Sequence, residues 1–169
     1  MPYVINNLHC VWGTKRRYPF FNDGNTKDIM IHILNHAREN DIWIDNLNAY
    51  RDHMHCLISL QPGQSLAKVI NLIKGESSHW INETLHLDKE FGWAEEYFAS
   101  SVSIKMLPVI RRYIQNQQQH HLAQTWAQEQ KEYQRMINNL LKPFRWGPRT
   151  SLTPAFRPGV KRVWVKGEE

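Results

Sequence analysis

The sequence predicts an α+β fold with a ferredoxin-like core, and three observations lead to this expectation. Strand-like segments and amphipathic helical segments alternate in the order βαββαβ. Further helical segments follow this unit. The 169 residues suit one domain, and neither an internal repeat nor a clear linker occurs before about residue 140. We therefore expect an antiparallel sheet with helices packed on one face and extra helices towards the C-terminus.

The first half of this unit leads to a strand that begins with histidine. The first strand covers residues 3–13, and a basic turn with the sequence TKRRYPFF follows it. The first helix covers residues 26–39, where apolar residues recur at helical spacing. A second strand within residues 41–52 leads directly into the third strand, which begins at His53.

The second half of the unit ends in helices. The second helix covers residues 65–85, and the fourth strand covers residues 97–104. The third helix covers residues 107–121 and has Pro108 in its first turn, where proline is tolerated. A fourth helix covers residues 122–141.

The composition favours a soluble globular protein over a membrane or disulfide-rich secreted one. Hydrophobic residues make up 41% of the chain and charged residues 22%. The sequence has no stretch of 18 apolar residues and no signal-peptide pattern. Cys10 and Cys56 lie inside apolar runs, which predicts buried thiols. We therefore expect a cytoplasmic protein.

The excess positive charge lies at the C-terminal end. Residues 1–139 contain 14 Lys and Arg and 14 Asp and Glu, whereas residues 140–169 contain seven basic and two acidic residues. We therefore divide the chain into a domain over 1–139 and a basic tail over 140–169. The tail alternates cations with aromatic residues and contains four prolines. This pattern suits binding of a nucleic-acid strand, and it equally suits a tail that has no ligand.

Two histidines one residue apart begin the third strand. Because side chains alternate along a strand, His53 and His55 share one face, and Met54 and Cys56 share the other. The apolar face is the expected core side, so we expect the imidazoles to project from the open face. Such a pair suits a metal ion when a third ligand lies nearby; the alternative is that each imidazole packs against a neighbour.

The third helix offers a nucleophile and a third ligand. Tyr113 and Gln117 are four residues apart, so they lie on one face of the predicted helix. Together with the histidine pair, Gln117 would be the third metal ligand and Tyr113 the attacking group. The alternatives are a tyrosine that packs on its neighbours and a solvated glutamine. His120 is a reserve ligand.

The order of these motifs resembles the single-tyrosine HUH transposases of bacterial insertion sequences. The matching segments are DHMHCLISL, LAKVINLIKGESSHWI, YFASSVS and VIRRYIQNQQQHH, which span roughly residues 3–135. The segment WAEEY departs from the Trp-Gln-x-Gly-Tyr-like pattern of the family, but it contains no catalytic position. The resemblance implies a metal site at His53, His55 and Gln117 and a nucleophile at Tyr113.

The resemblance also implies a reaction and its partners. Transposases of this kind cleave and rejoin single-stranded DNA at transposon ends through a 5′-phosphotyrosine intermediate, assisted by Mg²⁺ or Mn²⁺. They recognise DNA hairpins and act as homodimers, in which active sites can be shared between subunits. Candidate DNA contacts are basic residues, each of which has a solvated surface cation as its alternative interpretation. These residues are Lys15, Arg16, Arg17, Lys74, Arg111 and Arg112.

Three other functions remain open at this point. The first is a catalytically idle or domesticated relative that only binds DNA. The second is a metal-dependent single-strand nuclease that activates water, with Tyr113 in a structural role. The third is a replication or relaxase-type nickase of the same chemistry, although such chains usually carry extra domains. A covalent protein–DNA adduct distinguishes tyrosine chemistry from hydrolysis.

Overall fold

The structure is a computed structural model of the chain. It describes residues 4–118 together with Gln128, Lys131 and Arg135, which are helical. Within residues 4–118, the order of the elements confirms the predicted βαββαβ unit followed by a helix. The elements are β1 (Asn7–Gly13), α1 (Thr26–Glu39), β2 (Trp43–Tyr50), β3 (His53–Ser59), α2 (Leu66–Thr84), β4 (Phe98–Val102) and α3 (Leu107–Gln115), with single 3-10 turns at Lys15–Arg17 and Ile104–Met106.

The four strands form one antiparallel sheet in the order β2-β3-β1-β4. The histidine-bearing strand β3 therefore lies inside the sheet, between β2 and β1. In this register His55 lies opposite Val11 of β1 and Asn48 of β2. The predicted antiparallel sheet is confirmed, and its register determines which side chains of β1 and β2 surround the histidines.

One face of the sheet packs against α1 and α2 and forms the hydrophobic core. β3 contributes Met54, Cys56 and Ile58 to this face, and all three are fully buried. α1 and α2 bury the apolar stripes that their periodicity predicts. Cys10 lies opposite Cys56 in the sheet, and both are free, buried thiols, as predicted. Burial raises the pKa of Cys10 to about 12.

The other face of the sheet carries the two histidines and is covered by α3. This helix contacts β2 and β3, and its Ile114 is fully buried. Asn48 Nδ2 of β2 donates a hydrogen bond to the carbonyl of Ile114 at 2.7 Å. The expectation that the histidines project from an open face is therefore wrong. His53 is 1% exposed and His55 is 0% exposed, because α3 packs over the end of the sheet where they lie.

α3 is shorter than the sequence predicts. It ends at Gln115, and Asn116 departs from helical geometry with φ −96° and ψ 18°. Tyr113 therefore lies in α3 itself, whereas Gln117 lies just beyond its end. Residues 119–127, which include His120, and the tail over 140–169 lie outside the described residues. In the part of the chain that the structure describes, no helix has the length and apolar character needed to cross a membrane.

Candidate metal-binding and nucleophile site

His53 lies between a carboxylate and an amide. Its Nδ1 lies 2.7 Å from Asp52 Oδ1, and its Nε2 lies 2.9 Å from Gln117 Nε2. Because a carboxylate only accepts hydrogen bonds, His53 Nδ1 carries the proton and donates it, and the lone pair of Nε2 accepts the amide N–H of Gln117. A carboxylate behind the ring in this way orients imidazoles that bind metals. Sequence reasoning identified His53 and Gln117 but missed Asp52.

Asp52 also pairs with the basic turn. Its Oδ2 lies 2.6 Å from Arg17 Nη2 and accepts a hydrogen bond from Arg17 Nε at 2.7 Å. Burial alone would raise the pKa of Asp52, but the hydrogen bond from His53 and the charge of Arg17 hold it below its usual value. Burial lowers the pKa of His53 despite the neighbouring carboxylate. At neutral pH His53 is therefore a neutral imidazole, which is the protonation state that binds a cation.

His55 has an imidazole behind it instead of a carboxylate. His55 Nδ1 lies 2.9 Å from His9 Nε2, and the two rings stack with their centroids 5.1 Å apart. His9 is 5% exposed, and burial lowers its pKa to about 4. His9 is therefore neutral at pH 7. Sequence reasoning missed it: alternation with Cys10 in β1 indicates which face His9 occupies, but only the register of β1 against β3 places it beside His55.

α3 brings Tyr113 to the same place. The ring centroid of Tyr113 lies 5.5 Å from that of His55 and 5.9 Å from that of His9, in edge-on contacts. Arg111, two residues before Tyr113 in α3, holds the helix to β2 by donating hydrogen bonds of 2.6 and 2.8 Å to the two carboxylate oxygens of Asp45. The structure thus brings together, within one chain, the four residues that the sequence identified as ligands and nucleophile: His53, His55, Tyr113 and Gln117.

A second tyrosine also lies near the histidines. Tyr50 of β2 is paired with His53 in the sheet register, and their ring centroids are 6.3 Å apart. The guanidinium of Arg51 lies 5.5 Å from the centre of the Tyr50 ring. The 6.3 Å between the rings of Tyr50 and His53 is close to the 5.5 Å between the rings of Tyr113 and His55. Distance between rings therefore does not by itself select one phenol as the nucleophile.

The donor set fits a divalent cation. Among the described residues, no three His, Cys, Asp or Glu side chains come together as a metal site, and the amide of Gln117 is the candidate third ligand beside the histidine pair. Two imidazoles and an amide oxygen suit ions between the hard and soft extremes. The nitrogen of the Gln117 amide faces His53. Rotation of the amide about its last bond exchanges this nitrogen for the oxygen that a metal would bind.

The predicted DNA contacts differ in how exposed and how paired they are. Lys15 and Arg16 are exposed in the basic turn, and Arg112 is exposed on α3. Arg17 and Arg111 are also exposed, but each is engaged by a carboxylate, as described above. Exposed ion pairs of this kind contribute little to stability, so a phosphate can compete for either arginine.

Lys74 is placed differently from the other five. It is 8% exposed, and its ammonium donates hydrogen bonds to the carbonyls of Ala94 at 2.5 Å and Glu95 at 3.0 Å. Burial lowers the pKa of Lys74, although the carboxylates of Glu96 and Glu95 oppose this effect. Lys74 fixes the segment before β4 onto α2, and we leave it out of the proposed DNA contacts.

A groove of about 490 Å³ runs beside the basic turn, between α2 and the segment before β4. Lys15 contributes to its wall together with Asn71 and Ser78 of α2. The backbone of the basic turn is fixed to the far wall, because Lys15 N donates to the carbonyl of Gly92 at 2.8 Å. Lys15 is therefore an exposed cation that lines a preformed groove.

The sequence model of the family described as Transposase IS200 like matches residues 4–117. None of the curated proteins compared with the chain matches it significantly. A crystal structure of a candidate transposase from Deinococcus radiodurans R1 is 24% identical, with a TM-score of 0.56, over 69% of this chain and 95% of that one.

A second solved structure, a REP-associated tyrosine transposase bound to a REP hairpin, is 18% identical, with a TM-score of 0.54, over 72% of each chain. At these identities the two structures support the fold. The family match is the stronger finding, because it covers more than half of the chain and extends from β1 through Gln117. The chain belongs to the IS200-like transposase family.

Proposed function

We propose that this transposase cleaves and rejoins single-stranded DNA through a covalent 5′-phosphotyrosine at Tyr113. The observation that carries the proposal is the assembly of the site on one buried face. Gln117 lies 2.9 Å from His53, and the ring of Tyr113 lies beside that of His55, all within one chain. A phenol held beside an imidazole of the proposed metal-binding set provides a nucleophile next to a candidate cation site, which is an arrangement that suits covalent phosphoryl transfer.

The chemistry is a pair of balanced exchanges at phosphorus. The phenolic oxygen of Tyr113 loses its proton and attacks the scissile phosphate, and the bond from phosphorus to the 3′ oxygen breaks. The departing 3′ oxygen takes up a proton and becomes a 3′-OH. A 3′-OH of another strand end later loses its proton and attacks the phosphotyrosine; the bond from phosphorus to the tyrosine oxygen breaks, and Tyr113 takes up a proton. Because one phosphodiester replaces another at each step, the strands are rejoined without ATP.

His53, His55 and Gln117 are the proposed ligands of one divalent cation, Mg²⁺ or Mn²⁺. When bound, the cation supplies charge that polarises the phosphate and stabilises the negative charge that develops on its oxygens. Asp52 orients His53 by accepting a hydrogen bond of 2.7 Å from its Nδ1–H. A phenol has an unperturbed pKa near 10, so a polarised phosphate is a better target for Tyr113 than an unassisted one.

The proposed substrate is single-stranded DNA next to a hairpin. The similar REP-associated transposase is bound to a REP hairpin, which supports a hairpin partner here. Lys15 and Arg16 are the proposed phosphate contacts, because both are exposed and Lys15 lines the groove beside α2. Arg17, Arg111 and Arg112 are proposed as additional contacts. The basic tail over 140–169 is proposed to add further sequence-independent binding.

A homodimer is the proposed assembly. The contact between Gln117 and His53 in one chain supports a site built within each subunit. A mixture of Tyr113→Phe and His53→Ala proteins then contains no complete site, so mixing restores no cleavage. Restored cleavage in the mixture would instead mean that the helix carrying Tyr113 docks on the partner subunit.

The proposed function is tested by trapping the covalent adduct. The full-length protein is incubated with Mn²⁺ and labelled single strands from the DNA that flanks its own gene, and the products are separated under denaturing conditions. Wild-type protein should give a labelled protein band, and Tyr113→Phe should give none. Tyr50→Phe is the matched control, because it removes the same oxygen from the other tyrosine beside the histidines. Cleavage by Tyr113→Phe without an adduct would establish a nuclease that activates water.

A further inference from the structure

His9 contacts both a proposed metal ligand, His55, and the proposed nucleophile, Tyr113. Its Nε2 lies 2.9 Å from His55 Nδ1, its ring stacks on that of His55, and it meets the ring of Tyr113 in a T-shaped contact with 5.9 Å between centroids. His9 is buried on β1, the neighbouring strand, and no other part of the proposed mechanism uses it.

We propose that His9 is a positioning residue, which accepts a hydrogen bond from His55 Nδ1–H and thereby directs the lone pair of His55 Nε2 towards the metal site. The inference rests on the proposed function in one respect, namely that His55 binds the cation. His9 itself does not touch the cation or the DNA.

The direction of this hydrogen bond decides whether His55 can bind a metal. A neutral imidazole has one nitrogen that donates and one that accepts. If His9 donated, His55 Nδ1 would accept, its Nε2 would carry the proton, and no lone pair would face the cation. If His9 accepts, His55 Nε2 has the lone pair that a metal ion requires. The 2.9 Å contact engages Nδ1 in both cases, so a metal ion would bind His55 through Nε2.

Comparison with His53 shows what His9 supplies. His53 Nδ1 bonds to Asp52, and a carboxylate leaves only one direction for that hydrogen bond. His55 has a neutral acceptor in the equivalent place, on a different strand. The two ligands thus receive the same orientation from two different groups, and only one of these groups adds negative charge behind the metal.

Two substitutions separate positioning from packing. In His9→Gln, the side-chain oxygen reaches the approximate position of Nε2 and can accept the hydrogen bond. In His9→Leu, the apolar volume is kept and the acceptor is lost. A purely structural role predicts that both variants behave alike once they are folded, whereas a positioning role predicts that His9→Gln retains function and His9→Leu does not.

The experiment uses the full-length protein and two readouts that do not depend on DNA cleavage. Long-range ¹H–¹⁵N correlation spectra of the metal-free, ¹⁵N-histidine-labelled protein report the tautomer of His55. Calorimetric titration with Mn²⁺ reports the affinity for the cation. We expect the Nδ1–H tautomer of His55 in the wild type and in His9→Gln. We expect about 10- to 100-fold weaker Mn²⁺ binding in His9→Leu, as is typical when a group behind a ligand is lost.

Two results would overturn the role of His9: the Nε2–H tautomer of His55 in the wild type, or unchanged Mn²⁺ affinity in a folded His9→Leu protein. If His9→Leu does not fold, the wild-type tautomer and the affinity of His9→Gln still decide the matter. A wild-type protein that binds no Mn²⁺ would contradict the proposed metal site. In that event, the spectrum of the metal-free protein would still report whether His9 orients His55.

Discussion

The two faces of β3 are equally buried but are covered by different chemistry. Met54 and Ile58 on one face are 0% exposed, and His53 and His55 on the other are 1% and 0% exposed. The first face meets the apolar stripes of α1 and α2. The second face meets a carboxylate, an amide and a further imidazole.

This difference separates stability from chemistry within a single strand. Burial of apolar side chains favours folding by about 25 cal/mol for each Å² removed from water. Burial of a polar group is unfavourable unless it is hydrogen-bonded, and the partners on the histidine face offset that cost without making the face a strong source of stability. We therefore expect substitutions on the core face to change stability and substitutions on the histidine face to change metal binding and cleavage.

The largest expected effect comes from comparing one alanine substitution on each face of β3. His53→Ala removes a proposed ligand, so Mn²⁺-dependent cleavage should fall by more than about 100-fold, the upper loss for a group that only orients a ligand. Ile58→Ala should lower the free energy of unfolding by about 2–5 kcal/mol and leave cleavage per folded molecule near the wild-type value. Urea unfolding and a cleavage assay measure the two effects. Normal cleavage by His53→Ala would remove the basis for the metal site.

The next largest effect is the acid sensitivity of the histidine face. The pKa of His9 is about 4 in the folded protein and 6.5 as an ordinary histidine. Below pH 6.5 the unfolded chain binds a proton that folded His9 does not, so the free energy of unfolding should fall by about 3 kcal/mol on going to pH 4. His9→Gln does not titrate and should lose correspondingly less stability over this range. Parallel stability curves for the two proteins would show that His9 has an ordinary pKa.

A smaller effect is expected at Asp52, which acts on the site only through His53. Asp52→Ala removes the acceptor for His53 Nδ1–H, and Mn²⁺ affinity should fall about 10- to 100-fold. Arg17→Ala, which removes the other partner of Asp52, is the control. It should change the free energy of unfolding by at most about 1 kcal/mol and leave Mn²⁺ affinity nearly unchanged. Equal losses in both variants would mean that the Arg17–Asp52 pair, and not the carboxylate alone, orients His53.

The smallest effect is expected at an exposed position of α2, away from the histidines. Gly75 is inside α2, and a Cβ added there meets no atom within 4 Å. Gly75→Ala should therefore stabilise the protein by about 0.5–1 kcal/mol, because alanine loses less backbone entropy in a helix. Thermal or urea unfolding measures the change, and Mn²⁺ affinity should not respond. A destabilised Gly75→Ala protein would indicate that α2 requires glycine at this position.

The sequence predicted the core face more completely than the histidine face. Periodicity located α1 and α2, and alternation in β3 separated Met54 from His53, because these patterns depend on local geometry. The motif order also identified the residues that the structure brings together. What escaped prediction depends on contacts between distant segments: the packing of α3 over the sheet, the bond from His9 to His55, and the burial of Lys74 under the carbonyls of residues 94 and 95.

Asp52 shows where a local signal existed and was not used. It immediately precedes His53, but a residue next to a ligand in a strand normally points to the opposite face. Here Asp52 lies in the turn between β2 and β3, outside the regular alternation, and its carboxylate reaches Nδ1 of the adjacent ring. Arg51, in the same turn, has a positive φ of 46°.

The identity of the nucleophile is tested most directly by locating the DNA on the protein. Wild-type protein is allowed to form the adduct with Mn²⁺ and a single strand from its flanking DNA, the complex is digested with protease and nuclease, and the peptides are analysed by mass spectrometry. We predict that a 5′-linked nucleotide remnant lies on Tyr113 and that Tyr50, the other tyrosine beside the histidines, is unmodified. A remnant on Tyr50, or cleaved DNA with no modified tyrosine, would contradict the assignment of Tyr113 as the nucleophile.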